Sequence, residues 1–303
     1  MKKEVNLVDI LEQLDHELFV GQMDVVIRRI VSLKDENIGD DCISWCSAKH
    51  INQIAEKKNG SFIVPHDVSK DLLNETCNYI LVKNPRSAFR KLLNYFIQDE
   101  NDFEGVIIGS NATVHIKIAE NKNLRIGSNV VIEEDCFLGN YVSIDSNTVI
   151  KKGTVIHDHV SIGSNCTIGG VGFGYEKDES GRYEVIPHIG NVVIHQGAEI
   201  GNNTCIDRAV MGSTIIGENV KVDNLVHIAH GVNIGKNSLI IANSMVAGSC
   251  VIGENVWVAP STSILNGLEI KDDSVIGLGA VVIKPVDANQ VIVGNPGRAI
   301  NKS

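Results

Sequence analysis

A six-residue period of aliphatic side chains runs through most of this 303-residue chain. Ile or Leu occupies every sixth position from Ile126 to Ile168, and Ile or Val does so from Ile216 to Val282. An α-helix has 3.6 residues per turn and cannot keep such a period on one face. A β-solenoid of hexapeptides can, because each short strand sends one apolar side chain inward. The period therefore predicts a mainly β fold, a hexapeptide solenoid.

Glycine often follows the inward aliphatic residue, as in "IGSN", "IGEN" and "IGKN". We interpret these glycines as tight corners that need a positive φ. Two insertions interrupt the period, one at residues 169–193 and the other, "DRAVMGSTI", before Ile216. The first contains Phe173, Tyr175 and Tyr183 in a chain with only 5% aromatic residues. Such a loop either covers the solenoid or forms a wall of a substrate site, and the two roles are compatible.

The first hundred residues lack the period. The segments "CISWCS", "SFIVP" and "YILVKN" read as strands, "AKHINQIAEKKNG" as a helix between Ser47 and Gly60, and "SAFRKLLNYFIQ" as an amphipathic helix. The sequence thus predicts a small α/β domain over residues 1–100. The acidic stretch "QDENDFEG" joins it to a solenoid domain over residues 101–303.

Composition narrows the class of protein. A net charge of -10 argues against nucleic acid as a partner, because phosphate binding needs a basic face. No apolar run reaches the length of a membrane span, and acids interrupt the N-terminal apolar residues, so we expect neither a membrane segment nor a signal peptide. Seven cysteines without a CxxC pair suit a reducing compartment, so we expect a cytoplasmic protein.

Two histidines stand in one rung of the ladder, "NLVHIAHGVNIG". Ile228 points inward, so we place His227 and His230 outside the core. Each is either a solvated surface residue or part of a site. A smooth solenoid has no cleft, so a site needs a second wall from an inserted loop or another subunit.

The segments "GVGFGYEKDESGRYEVIPHIGNVV", "IDR" and "DNLVHIAH", together with "VKNPRSAFRKLL" near the N-terminus, closely resemble the UDP-3-O-acylglucosamine N-acyltransferases of lipid A synthesis. The resemblance covers most of the chain. It implies a left-handed parallel β-helix that assembles as a homotrimer, with active sites between subunits. It also implies that His230 is catalytic and that His227 is a neighbour without a catalytic role.

Acyl transfer to nitrogen needs a base for the amine and a donor for the oxyanion. An imidazole with an ordinary pKa near 6.5 accepts a proton at neutral pH. The resemblance assigns Asp223 to orient the His230 ring, the backbone N–H of Gly248 to the oxyanion, and Asn224 to the sugar. Gly248 is otherwise a corner glycine. From the first insertion we take Phe173 and Tyr175 as substrate-binding candidates.

Trp45 stands where the resembling family has an aromatic residue that stacks on the nucleotide base. The second family aromatic is replaced by Ile51. The alternative is that Trp45 is a core residue of the small domain.

Two departures separate the chain from that family. Gly267 occupies the place of a second histidine, and the ending "VIVGNPGRAINKS" resembles coenzyme A-dependent sugar acetyltransferases of the same solenoid class. Lys284 and Arg298 are then either phosphate contacts for coenzyme A or ordinary exposed residues. Our first hypothesis is therefore transfer from acyl-CoA to a nucleotide-linked amino sugar in surface glycan synthesis. The alternative is the lipid A enzyme itself, with acyl carrier protein as donor.

Two rival hypotheses come from other classes. A γ-type carbonic anhydrase uses this solenoid with a histidine-bound zinc, but His188, His195, His227 and His230 lack its final His-x4-His spacing, so we expect no metal. A non-catalytic scaffold needs neither the His230 motif nor the aromatic loop.

Overall fold

The structure, a computed structural model, describes residues 4–97, 104–119 and 122–300. The chain divides into two compact units, Met1–Asp102 and Phe103–Ser303. Most of the acidic stretch expected to join them, residues 98–103, lies outside the described residues.

A parallel and antiparallel sheet with flanking helices forms the first unit. Its elements are β1 (Val5–Asn6), α1 (Leu7–Gln13), β2 (Leu18–Val20), β3 (Val26–Ile27), β4 (Arg29–Ile30), β5 (Cys42–Trp45), a 3-10 helix (Ala48–Gln53), β6 (Ser61–Pro65), a second 3-10 helix (Lys70–Leu72), β7 (Asn78–Val82) and α2 (Pro85–Phe96). The sheet order is β2-β7-β6-β5-β4. Helix α2 begins where the Asn84 side chain accepts a hydrogen bond from the Ser87 amide, with Pro85 in the first turn.

The helix predicted between Ser47 and Gly60 is shorter than expected. It is a 3-10 helix over Ala48–Gln53, and the Ser47 side chain makes no capping bond. Ile54 is already fully buried, and Gly60 turns the chain into β6 with a φ of +107°. The segment must return to the sheet within a few residues, which leaves no room for a longer helix.

Short parallel strands, each continuing a triangular coil, form the second unit. They are β8 (Val106–Ile108), β9 (Thr113–Val114), β10 (Leu124–Ile126), β11 (Val131–Ile132), β12 (Phe137–Leu138), β13 (Val142–Ile144), β14 (Val149–Ile150), β15 (Val155–Ile156), β16 (Ser161–Ile162), β17 (Thr167–Val171), β18 (Tyr175–Lys177), β19 (Tyr183–Val185), β20 (Asn191–Ile194), β21 (Glu199–Ile200), β22 (Cys205–Arg208), β23 (Ser213–Ile216), β24 (Lys221–Val222), β25 (His227–Ile228), β26 (Asn233–Ile234), β27 (Leu239–Ile240), β28 (Met245–Val246), β29 (Val251–Ile252), β30 (Trp257–Val258), β31 (Ser263–Ile264), β32 (Glu269–Ile270), β33 (Val275–Ile276), β34 (Val281–Val282), β35 (Val291–Val293) and β36 (Arg298–Ile300).

The strands stack into three faces. One face runs β36-β35-β33-β30-β27-β24-β21-β16-β13-β10-β8, the second β34-β31-β28-β25-β22-β17-β14-β11-β9, and the third β12-β15-β20-β23-β26-β29-β32. Residues one coil apart are paired in register, as Ile228 is with Val246. The aliphatic residues of the six-residue period are buried inside the coils, as predicted. Each stabilises the fold by about 1.5–3 kcal/mol relative to an exposed side chain.

The prediction about corner glycines was wrong. In "IGSN" the positive φ belongs to Asn129, at 57°, and not to Gly127. Asn is the residue other than glycine that best tolerates this left-handed conformation. Gly127 is needed for another reason, because a Cβ there would lie 2.5 Å from the backbone nitrogen of Ser146 in the next coil.

The first insertion is an ordered excursion. Strand β17 bulges between Ile168 and Gly170 where it pairs with β22. A bulge redirects a strand, and here the chain leaves the coil to form the antiparallel hairpin β18–β19 before β20 resumes the ladder. The Arg208 side chain donates to the carbonyl of Gly169 at 2.7 Å, which holds the base of the excursion.

Candidate active site

His230 lies in the turn that follows β25, on the outside of the coil as predicted. It borders a groove of about 390 Å³, which is also lined by Phe173, Asp207, His227, Met245 and Gly248. The side chains come from successive coils and from the excursion. An inserted loop therefore supplies a wall that the plain solenoid lacks.

Gly248 lies directly against the imidazole of His230. A Cβ on Gly248 would come within 2.7 Å of both Cε1 and Nε2 of the ring. Gly248 is buried and does not have a positive φ. Close approach to the ring, not backbone conformation, therefore requires glycine here.

The amide of Gly248 is an available donor. At some corners, though not at all of them, the equivalent amide is capped by a side chain of the next coil, as the Glu254 amide is by Asp272 at 2.8 Å. Within the described residues the Gly248 N–H has no acceptor, although its neighbours Ala247 and Ser249 both donate to the ladder. An uncapped N–H beside an imidazole can stabilise a developing oxyanion.

The excursion packs over the other side of the ring. A Cβ on Gly172 would lie 2.9 Å from Cβ of His230 and 2.8 Å from Nε2 of His188. Phe173 is 86% exposed and contacts Tyr175 edge to face, with ring centroids 5.0 Å apart. Phe173 thus lines the groove beside His230. Tyr175 does not line the groove itself but packs against Phe173. The loop both covers the coil and faces the groove.

Behind the groove lies His188, which sequence reasoning did not place in the site. Its ring is edge to face with His230, with centroids 5.2 Å apart and an angle of 80° between planes. The next residues are fixed by the backbone, since the amides of Ile189 and Gly190 donate to the carbonyls of Val210 and Ala209. The second insertion therefore holds His188 in place.

Asp207 is the carboxylate that lines this groove, and the sequence analysis did not predict it as a site residue. Its carboxylate lies 3.7 Å from Nε2 of His227, and its side chain is only 13% exposed. Burial raises the pKa of Asp207, and the neighbouring His227, His230 and His188 oppose that rise. His188 lies in "GVGFGYEKDESGRYEVIPHIGNVV" and Asp207 in "IDR". Both segments were quoted for the resemblance without a role for either residue.

Asp223 and Asn224 stand at a different corner of the same chain. The Asp223 carboxylate accepts from the Asn224 amide at 2.7 Å and from the Ala242 amide at 3.2 Å, and has no hydrogen bond to His230. The Asn224 side chain accepts from the Asn202 amide. The corner lies one strand before His230, so in one chain the acid near that ring is Asp207. The predicted roles of Asp223 and Asn224 stay predictions.

Trp45 lines a separate groove of about 440 Å³ in the first unit. Its ring stacks on Phe89 with centroids 5.6 Å apart. Ser44, which also lines this groove, is 1% exposed, and its hydroxyl has no hydrogen-bond partner among the described residues. Trp45 is therefore half-buried, packed on one side and open to a groove on the other.

Lys284 and Arg298 are both exposed on the last coils of the solenoid. Among the described residues, the side chain of Arg298 bonds only to the carbonyl of Gly297, while its backbone pairs with β35. Gly267, at the place of the second family histidine, donates to the Gly248 carbonyl at 2.9 Å and has a φ of +70°. By the register of β28 and β31, Asn266 is the residue stacked on Gly248 in the next coil, and Gly267 follows it.

Across the described ranges, no group of three or more His, Cys, Asp or Glu side chains is arranged to hold a metal ion. His195 lies apart from the groove, stacked on His157 at 5.0 Å. No helix in the described part of the chain is long and apolar enough to cross a membrane.

The pKa of the His230 ring should lie below its ordinary value. Burial lowers its pKa, His188 lowers it further, and Asp207 acts in the opposite direction. The ring therefore loses its proton below the ordinary value of 6.5 and is a neutral base at pH 7. NMR titration of the free protein should place the His230 midpoint below 6.5, and Asp207→Asn should move it lower still. An unchanged midpoint in Asp207→Asn would show that the carboxylate does not act on this ring.

Comparison with known proteins identifies the family and the fold of the chain. The family model "Bacterial transferase hexapeptide (six repeats)" matches residues 135–170. The UDP-3-O-acylglucosamine N-acyltransferase of Campylobacter lari is 43% identical over 233 residues, which cover 74% of this chain and 72% of that protein. The enzyme of the same name from Cytophaga hutchinsonii is 54% identical over 82 residues, 27% of this chain. That match spans only 24% of the relative's own length.

Solved structures share the fold. LpxA from Acinetobacter baumannii superimposes with a TM-score of 0.51 at 22% identity, covering 65% of this chain and 72% of that one. The predicted fold class, a mainly β left-handed parallel β-helix, is confirmed.

Proposed function

The chain belongs to the family of UDP-3-O-acylglucosamine N-acyltransferases, and from that premise we propose that it moves an acyl group from a thioester to the amine of a UDP-linked 3-O-acylglucosamine. The observation that carries the proposal is the close approach of the His230 imidazole to Gly248, whose amide has no acceptor among the described residues, in a groove walled by the inserted loop. This substrate is the one in the relatives' name. The relatives' substrate therefore replaces the unspecified amino sugar of our first hypothesis and favours the alternative, the lipid A enzyme.

The groove supplies the groups that aminolysis of a thioester requires. The neutral amine attacks the thioester carbonyl, and His230 takes one proton from the nitrogen as the C–N bond forms. The Gly248 N–H stabilises the oxyanion of the tetrahedral intermediate. The C–S bond then breaks, the amide forms, and the thiolate takes the proton from the imidazolium. Asp207 favours that transient positive charge because its carboxylate lies in the same cluster.

The donor is a thioester on a pantetheine arm, the group that coenzyme A and acyl carrier protein share. Met245, Phe173 and Ala247 give the groove an apolar side suited to that arm and the acyl chain. Lys284 and Arg298 remain candidates for the phosphates of coenzyme A. The carrier protein remains the alternative source of the same arm.

We assign the nucleotide base to the groove beside Trp45. An open indole face suits base stacking. The buried Ser44 hydroxyl, which has no partner in the described part of the chain, is expected to bond a polar edge of the base, since unpaired buried polar groups are costly. This supports a nucleotide-binding role for the first unit.

A homotrimer with sites between subunits explains the position of Asp223 and Asn224. These residues stand at another corner from His230. In the proposed trimer they face the His230 groove of a neighbouring copy. Closed symmetric assembly repeats such a contact at each interface. We propose that Asn224 binds the sugar and that His230 is oriented by residues of its own chain.

The experiment is a thiol-release assay on purified protein whose sedimentation has been measured. With UDP-3-O-acylglucosamine present, we expect thiol release from the acyl donor by a trimer. The matched control is the same sugar with its amine already acetylated, which should release none. Parallel arms with acyl-coenzyme A and acyl carrier protein identify the source. No amine-dependent release from either donor, or an active monomer, would contradict the proposal.

A further inference from the structure

His188 carries an unused acceptor at the back of the groove. Its side chain is 8% exposed, and Nδ1 lies 2.7 Å from the carbonyl oxygen of Ile186. A carbonyl oxygen only accepts, so Nδ1 carries the hydrogen and Nε2 of the neutral ring presents a lone pair. That Nε2 is buried and has no hydrogen-bond partner among the described residues. A buried acceptor without a donor is costly, so a partner is expected.

The His230 ring borders the same space. A Cβ on Gly172 would lie 2.8 Å from Nε2 of His188 and 3.0 Å from Cδ2 of His230, so the two atoms flank one point. The rings meet edge to face at 5.2 Å. Neither ring nitrogen of His230 has a hydrogen-bond partner within residues 122–300.

A half-turn of the His230 ring about its Cβ–Cγ bond exchanges Cδ2 with Nδ1 and fills the same volume. The turned ring places Nδ1 on the side of His188 and keeps the Cε1–Nε2 edge against Gly248, because a Cβ at Gly248 is equally close to both atoms. In that orientation Nδ1 of His230 faces Nε2 of His188, the buried acceptor that lacks a partner among the described residues.

We propose that His188 is a positioning residue, and that its Nε2 accepts a hydrogen bond from Nδ1–H of His230. The bond fixes the His230 tautomer that has its lone pair on Nε2, the atom facing Gly248. A catalytic base oriented by a second residue behind it is a general device for holding the reactive nitrogen in place. Here the orienting group is the imidazole of His188, which is itself held by its hydrogen bond to the Ile186 carbonyl and by close packing against Gly172. The assignment of Nε2 as the base rests on the proposed function, whereas the hydrogen bond does not.

Solid-state NMR of protein labelled with ¹⁵N-histidine tests the bond directly. The His230 signals are assigned by their loss in His230→Gln, and spectra are recorded at a pH where the ring is neutral. We expect His230 to carry its hydrogen on Nδ1, and His188 Nε2 to show the shift of an accepting nitrogen. Two variants of similar size form the matched pair. His188→Gln keeps an acceptor and should retain the Nδ1–H form, and His188→Leu removes it and should release the ring to the Nε2–H form that free histidine prefers.

Kinetics give a second readout. His188→Leu should lower kcat by about 10–100-fold with KM little changed, because His188 lies behind the groove, and His188→Gln should recover most of that loss. A wild-type His230 with hydrogen on Nε2 would overturn the proposal. So would equal kcat values in wild type and a folded His188→Leu variant. If the NMR result is as expected but no acyl transfer is found, the proposed function fails while the His188–His230 bond stands.

Discussion

His230→Ala should lower kcat by about 10²–10⁴-fold, the usual contribution of a positioned general base. The imidazole lies directly against Gly248, and its pKa is shifted by burial, His188 and Asp207. The solenoid should remain folded. His230 lies in a turn outside the ladder, while Ile228 supplies the buried contact of that rung. Steady-state kinetics with the amino sugar, beside a melting curve and sedimentation, check both parts.

His227→Ala is the matched control, because His227 lines the same groove and is 45% exposed. It contacts Asp207 and not Gly248, so kcat should fall much less than in His230→Ala. A His230→Ala variant with kcat within a few-fold of wild type, at a pH well below the pKa of the amine, would remove His230 from the role of base. The histidine would then only position the substrate.

Gly248→Ala should lower kcat by about 10²-fold, which is the expected cost of moving a catalytic group by roughly 1 Å. The added Cβ would lie 2.7 Å from Cε1 and Nε2 of His230, so the ring must move away. The backbone at Gly248 is not in the left-handed region, so alanine adds no strain there. The melting temperature should therefore change little while turnover falls.

The control is a double-mutant cycle. If the added methyl group acts by displacing the imidazole, Gly248→Ala should have little further effect in a His230→Ala background. Fully multiplicative losses in the double variant would contradict this account and indicate that Gly248 acts independently of the ring.

The solenoid was predictable because every sixth residue faces one core. Every sixth residue from Ile216 to Val282 meets the same requirement for an inward aliphatic side chain, and all of these side chains are buried. The site was less predictable, because it depends on contacts across insertions. His230 and Gly248 are separated by one coil, a distance that the period fixes, and the structure places them in contact. Their chemical roles remain predictions.

His188 and Asp207 show where sequence reasoning ended. His188 reaches the groove only because the hairpin leaves at the Gly169 bulge and returns to pair with residues 209 and 210. No periodic pattern encodes that path. Asp223 was predicted by resemblance to be the orienting acid; its corner lies one strand before His230 within a chain, and its role stays a prediction. The corner glycines were misread because packing against the next coil, and not φ, selects them.

The most direct test of the central claim is the chemical identity of the product. Wild-type protein is incubated with UDP-3-O-acylglucosamine and an acyl thioester, and the sugar nucleotide is analysed by mass spectrometry before and after mild alkali. We predict one added acyl group that survives the alkali as an amide, while the ester at position 3 is lost, and no added group with His230→Ala. An added group that alkali removes, or a sugar nucleotide of unchanged mass, would contradict N-acyl transfer at this site.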